Sequence, residues 1–261
     1  MLPDSIDLAV LAALANNGFG TNFSRRPEIS MTESNGTVLV ITPHPDDAEG
    51  GAGGSIAKWI KEGRKVVLVV CTNGDKGTSD RGLTSEKLAA IREKEQADAA
   101  KVLGIAEVVY LRQLDQGLED TAEFREMLVR QIRKHTPSTV VTVDPNRPYI
   151  RHRDHYICGR VTLDAVFPYA RDYLAFPEHA TEGLEPHKVH EVLLFRPDNP
   201  DMFIDITDTF TLKMDALYKH ASQMGSPREV GEQRSRDRAA ETGKQADVEL
   251  AEGFKRIDIG R

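Results

Sequence analysis

The chain has 261 residues, 39% of them hydrophobic, and a formal net charge of -7. That is enough apolar content for a full core, and the acidic balance supplies no basic footprint for nucleic acid or an anionic membrane surface. Two cysteines are too few for a disulfide framework; Cys71 in a strand-like run and Cys158 in a helix-like one read as buried thiols of a cytoplasmic protein.

Residues 1–35 carry an apolar run, Ile6 to Leu14, with Asp4 and Asp7 at its start, where a signal peptide has positive charge. It reads as an amphipathic helical extension suited to a subunit contact, and no stretch reaches the ~18 uninterrupted apolar residues of a membrane span. Thr37 to Thr42 is a short β-branched run, the pattern of a strand buried on both faces. A helix is expected from Gly53 to Gly63, a strand over Val66–Cys71, and a long helix from Thr84 to Leu103 closed by Gly104. Val108–Leu111 (strand), Thr121–His135 (helix) and Thr139–Val143 (strand) continue the alternation. Glu191–Phe195 and Met202–Ile206 read as further strands, and Asp208–Ser222 as a helix. Residues 226–261 read as a charged helix-and-loop tail, packing late or on another subunit. The rhythm predicts one α/β domain over 1–261, Rossmann-like, with a mainly parallel sheet and helices on both faces.

In such sheets, sites lie beyond the carboxyl ends of the strands. His44-Pro45-Asp46-Asp47 falls two residues past the first strand. A histidine and two carboxylates this close cannot enter an apolar core without a cationic partner, and imidazole with carboxylate is a standard ligand set for zinc. A turn after Pro45 would bring His44 and Asp47 to one side and leave Asp46 free to act on a metal-bound water. The competing reading is that the aspartates cap the next helix. Gly50-Gly51-Ala52-Gly53-Gly54 follows, but its spacing is not G-x-G-x-x-G, so a nucleotide loop is disfavoured.

The fourth strand leads to His152-Arg153-Asp154-His155 on what would be the same rim of the sheet. One of its histidines can complete a His/Asp/His set with a position open for water, the arrangement of a catalytic rather than a structural zinc. His135, His179, His187 and His190 read as exposed polar residues.

The two clusters resemble the HPDD and HxDH motifs of the PIG-L / LmbE-like metal-dependent de-N-acetylases, and most closely the branch with diacetylchitobiose deacetylases. Supporting pieces are Thr72–Gly77, Arg92 with Glu93 and Glu95, and the series Lys213, Ala216, His220, Ser222, Gln223. The resemblance implies a metal, zinc or else Fe2+ or Mn2+, held by His44, Asp47 and His155. It also implies that Asp46 is the general base and that His152 stabilises the oxyanion, oriented by Asp154. Arg92 and, more weakly, Asp115 become candidates for holding the sugar. Ala48 stands where many members have Glu, with Glu49 one place later, and Arg153 replaces a more usual Pro. The expected activity is removal of an N-acetyl group from a GlcNAc-type amino sugar by a metal-bound hydroxide, in a homo-oligomer. The rivals are an amidase for larger thiol-linked sugar conjugates and a non-catalytic sugar- or nucleotide-binding module.

Overall fold

In the computed structural model, residues 36–149 and 151–260 are described, all within one compact unit; the predicted N-terminal extension lies outside them. The first half alternates as expected: β1 (Val38–Thr42), α1 (Asp47–Lys61), β2 (Val66–Thr72), α2 (Ser85–Leu103), β3 (Glu107–Gln113), α3 (Ala122–His135), β4 (Thr139–Val143) and α4 (Arg153–Asp164). Then come β5 (Glu191–Phe195), β6 (Met202–Asp205), α5 (Phe210–Leu217), α6 (Arg228–Gly243) and β7 (Ala251–Asp258). The seven strands run in the order β3-β2-β1-β4-β5-β7-β6. β1 pairs in parallel with β2 and with β4, so the chain reverses its direction of travel across the sheet between β1 and β4. That switch point opens a crevice at the carboxyl ends of both strands.

Period-two alternation divides the core. Val38, Val40, Leu68 and Val70 face α1, α2 and α5, together with Ile56, Leu103 and Met214. Leu39, Ile41, Val67 and Val69 face α3 and α4, together with Leu128, Ile132 and Val161. Thr84 and Thr121 accept backbone N–H bonds at the starts of α2 and α3, and Gly104 closes α2 at φ +83°.

Four expectations need correction. The first helix begins at Asp47, so the glycine cluster lies inside it. Interior glycines cost a helix about 0.5–1 kcal/mol each relative to alanine, but packing requires them. A Cβ on Gly51 would stand 2.3 Å from the Phe195 ring, and one on Gly54 2.7 Å from Ile206.

Residues 226–261 hold the expected helix, α6, but end in a strand rather than loop. Strand β7 lies between β5 and β6, antiparallel to both. Its charges conceal it because they are paired rather than alternating. Lys255 meets Asp201, Arg256 meets Glu191, and buried Glu252 accepts from Gly54 N, Ser55 N, Ser55 Oγ and Lys213 Nζ.

Finally, His135 and His179 are buried rather than exposed, and His179 Nε2 lies 2.6 Å from Glu126 Oε1. The helix predicted to run to Ser222 stops at Leu217, and the chain beyond it binds α2: Ser222 N and Oγ both donate to Glu95.

Candidate metal centre

The loop after β1 and the start of α4 meet at the crevice. Asp46 occupies the position before α1 at φ +91°, and its carboxylate caps nothing. Its backbone N–H donates instead to Gln96 Oε1 at 3.2 Å. The capping reading of this aspartate therefore fails. The turn brings Asp47 Oδ2 back to 3.2 Å from both His44 N and His44 Nδ1.

From α4, His155 Nε2 reaches the same Asp47 oxygen, also at 3.2 Å. The donor atoms of His44, Asp47 and His155 all lie within 4.8 Å of one another. Ligands about 2.0–2.2 Å from a zinc ion at tetrahedral angles stand roughly 3.3–3.5 Å apart. The two 3.2 Å separations fit that spacing closely.

The opposite edge of His44 is anchored by carboxylates. Its Nε2 lies 3.1 Å from Asp154 Oδ2 and 3.1 Å from Asp115 Oδ1. Buried Asp154 also accepts from Gln116 N at 2.6 Å and Leu118 N at 3.2 Å. Asp115 accepts from Lys76 N, and its own N–H donates to Asp75 Oδ1, which gives the Thr72–Gly77 loop a positioning task.

These groups alter one another's acidity. Burial works against the charged form of His44, but Asp115, Asp154 and Asp47 overcome it and push its imidazole up to about 12. Burial opposes ionisation of Asp47 as well, yet His155 and His44 hold it well below the usual carboxylate range. Asp115 falls to about 2, with burial outweighed by His44. Three anionic carboxylates around one imidazole require positive charge, which a protonated His44 supplies here and a divalent cation would supply on binding.

Asp46 departs in the other direction. Burial and the neighbouring charge of Asp47 raise it to about 6, against the pull of Arg92. His152 is partly exposed at the mouth of the site, and burial and the His44 charge lower its pKa. Its Nδ1 accepts the Asp154 N–H at 3.2 Å, so the neutral ring carries its proton on Nε2.

A family model described as GlcNAc-PI de-N-acetylase matches residues 39–166, the span from β1 through α4. The diacetylchitobiose deacetylase of Thermococcus kodakarensis is 35% identical over 199 residues, covering 75% of this chain and 72% of that protein. The chain belongs to the PIG-L family. The solved N,N'-diacetylchitobiose deacetylase from Pyrococcus horikoshii superposes with a TM-score of 0.81 at 33% identity, over 85% of this chain and 84% of that one. A 4-carboxy-2-hydroxymuconate hydratase from Pseudomonas putida shares the fold, with a TM-score of 0.74, 22% identity and coverage of 87% and 97%. Among the described residues, no helix is long and apolar enough to cross a membrane.

Within this PIG-L crevice the structure brings together His44, Asp46, Asp47, Asp115, His152, Asp154 and His155. Three expected contacts differ. Asp154 Oδ2 is 4.0 Å from His152 Nδ1 and makes its close imidazole contact with His44 instead. Arg92 is buried and donates to Gly74 O, Pro45 O and Asp46 Oδ2, so it holds the loop and the Asp46 carboxylate. Asp115 is buried, with its Oδ1 against His44 Nε2.

Sequence reasoning missed Gln96, which ties Asp46 N to Glu49: Gln96 Nε2 donates to Glu49 Oε1 at 2.7 Å, and Glu49 Oε2 lies 3.4 Å from His220 Nε2. It also missed Arg196, whose NH1 stands 3.7 Å from Asp47 Oδ1. Its position, one residue past β5, was the available signal.

Proposed function

We propose that this chain is a metal-dependent hydrolase that removes the N-acetyl group from a GlcNAc-type amino sugar, with Zn2+ as the ion. The observation that carries the reading is the single Asp47 oxygen standing 3.2 Å from one nitrogen of His44 and one of His155, with the raised carboxylate of Asp46 beside them. Family membership and the diacetylchitobiose deacetylase relatives support the substrate class.

His44, Asp47 and His155 would hold the ion. When bound, it supplies Lewis acidity for the acetamide carbonyl and lowers the pKa of a water. Asp46 takes the proton from the attacking water, and its pKa near 6 suits proton transfer close to neutral pH. Water oxygen adds to the acetyl carbon, the C–N bond breaks, and the proton on Asp46 passes to the departing amine, leaving acetate and a free amino sugar. His152, with its Nε2–H free at the mouth, donates to the oxyanion. Asp154 acts through His44, fixing its ring and its tautomer from the side away from Asp47. Arg92 and Gln96 hold Asp46 through its carboxylate and its backbone N–H.

The test is acetate release from N-acetylglucosamine, its dimer and a thiol-linked glycoside, with elemental analysis of the purified chain. Release from the acetylated sugars that stops on chelation supports the reading. A metal-replete chain that releases acetate from none of them contradicts it, and cleavage confined to the thiol-linked glycoside favours the amidase.

A further inference from the structure

A cavity of about 130 Å³ opens beside His152 and His155. Its wall carries three guanidiniums, Arg147, Arg151 and Arg196, against one carboxylate, Asp144. On a chain of net charge -7 that concentration of positive charge is local, not a sample of the average surface.

The ion pairs on this wall are loose ones: Arg147 and Arg196 each face a carboxylate at 3.7 Å. Arg147 Nε stands 3.7 Å from Asp198 Oδ1, with both side chains about half exposed. Arg151 donates to Pro145 O at 3.2 Å, and its Cζ sits over the Tyr156 ring, 4.1 Å from the centroid. Neither contact neutralises its charge. Arg196 faces Asp47 Oδ1 at 3.7 Å. The lining carboxylate, Asp144, accepts from Asn146 N.

Room has been made for this wall. Arg196 adopts φ +55°, a conformation uncommon for a non-glycine residue, and a Cβ on Gly50 would stand 2.4 Å from its guanidinium. Arginine presents planar paired donors that match the oxygens of a phosphate or carboxylate.

We infer that Arg147, Arg151 and Arg196 form an anion subsite, and that the preferred substrate is an acetamido sugar bearing a phosphate or carboxylate rather than a neutral one. The inference rests on the de-N-acetylase reading for the sugar, but not for the anion. Phosphate and carboxylate share the chemistry the arginines recognise, so the test separates them.

Equilibrium binding to the full chain is measured by calorimetry for four ligands: N-acetylglucosamine, its 1-phosphate, its 6-phosphate and N-acetylmuramic acid. At least one charged sugar should bind tenfold or more tighter than the neutral one, with the advantage shrinking as salt is raised. Tightest binding of a phosphorylated sugar assigns a phosphate, and of the muramic acid a carboxylate. The double substitution Arg147→Gln/Arg151→Gln should bring the ratio close to one, and Arg147→Lys/Arg151→Lys should keep part of it. Equal binding of all four ligands, or an advantage that survives the glutamine substitutions, overturns the inference. Acetate release is followed in parallel: its absence with every sugar counts against the hydrolase reading, while the binding ratio still decides the subsite.

Discussion

Asp154 Oδ2 lies 3.1 Å from His44 Nε2, on the opposite edge of the imidazole from Asp47. A histidine that ligates a metal through one nitrogen usually donates the other N–H to a carboxylate, which fixes the ring and raises its basicity. Asp154 is held for that task by two backbone N–H donors, from Gln116 and Leu118, that no ligand needs to disturb.

Asp154→Asn should therefore weaken metal binding by about 10- to 100-fold while leaving the fold intact. Competition titration against a chromophoric chelator measures this. Unchanged affinity with altered turnover would return Asp154 to the service of His152.

Asp46 is the proposed base, so Asp46→Asn should keep its metal and lose acetate release by a factor on the order of 10² or more. Full turnover with metal retained would remove it from that role.

The amide of Gln96 acts on Asp46 only through a backbone bond, with Glu49 and His220 behind it. Gln96→Leu should lower kcat by about tenfold, the worth of one hydrogen bond of ~1–1.5 kcal/mol, with KM and metal content nearly unchanged. Gln96→Glu keeps the acceptor for Asp46 N but sets a second carboxylate against buried Glu49, so it should do no better than leucine. A loss confined to KM would mean that Gln96 serves the substrate rather than the base.

Glu252 on β7 joins the C-terminal strand to the glycine-rich start of α1 through Gly54, Ser55 and Lys213. Its removal strips the buried Lys213 ammonium of its carboxylate partner, leaving it on the Gly50 carbonyl, and takes an acceptor from Gly54 N, Ser55 N and Ser55 Oγ. Glu252→Ala should cost about 3–5 kcal/mol in unfolding free energy, read by urea denaturation. A cost below about 1 kcal/mol would show that water replaces the carboxylate there.

The parts of the site that were legible in the sequence follow local rules. His44 and Asp47 converge because a turn separates them by three residues. His155 joins them because β1 and β4 are neighbours whose carboxyl ends share one rim. The partner of Asp154 was not legible. His152 and His44 are chemically equivalent donors to its carboxylate, and only the backbone N–H groups of Gln116 and Leu118 that hold it select the one 110 positions away. The direction of Arg92 depends on the loop it faces, which charge alone does not reveal. Strand β7 escaped because its charges are paired instead of alternating with apolar residues: Lys255 and Arg256 meet Asp201 and Glu191 along the sheet, and Glu252 meets Ser55 and Lys213 on the helices packed against it. The early start of α1 escaped because its glycines, poor helix formers in isolation, are required there by Phe195 and Ile206.

The central claim is that His44, Asp47 and His155 converge on one divalent cation. Metal content of the purified wild-type chain beside His155→Ala, both shown to be folded, tests it most directly. Removal of one of three protein ligands should take the metal from about one ion per chain to below about a tenth. A variant that retains a full equivalent, or a wild-type chain that takes up none when zinc is offered, would contradict it.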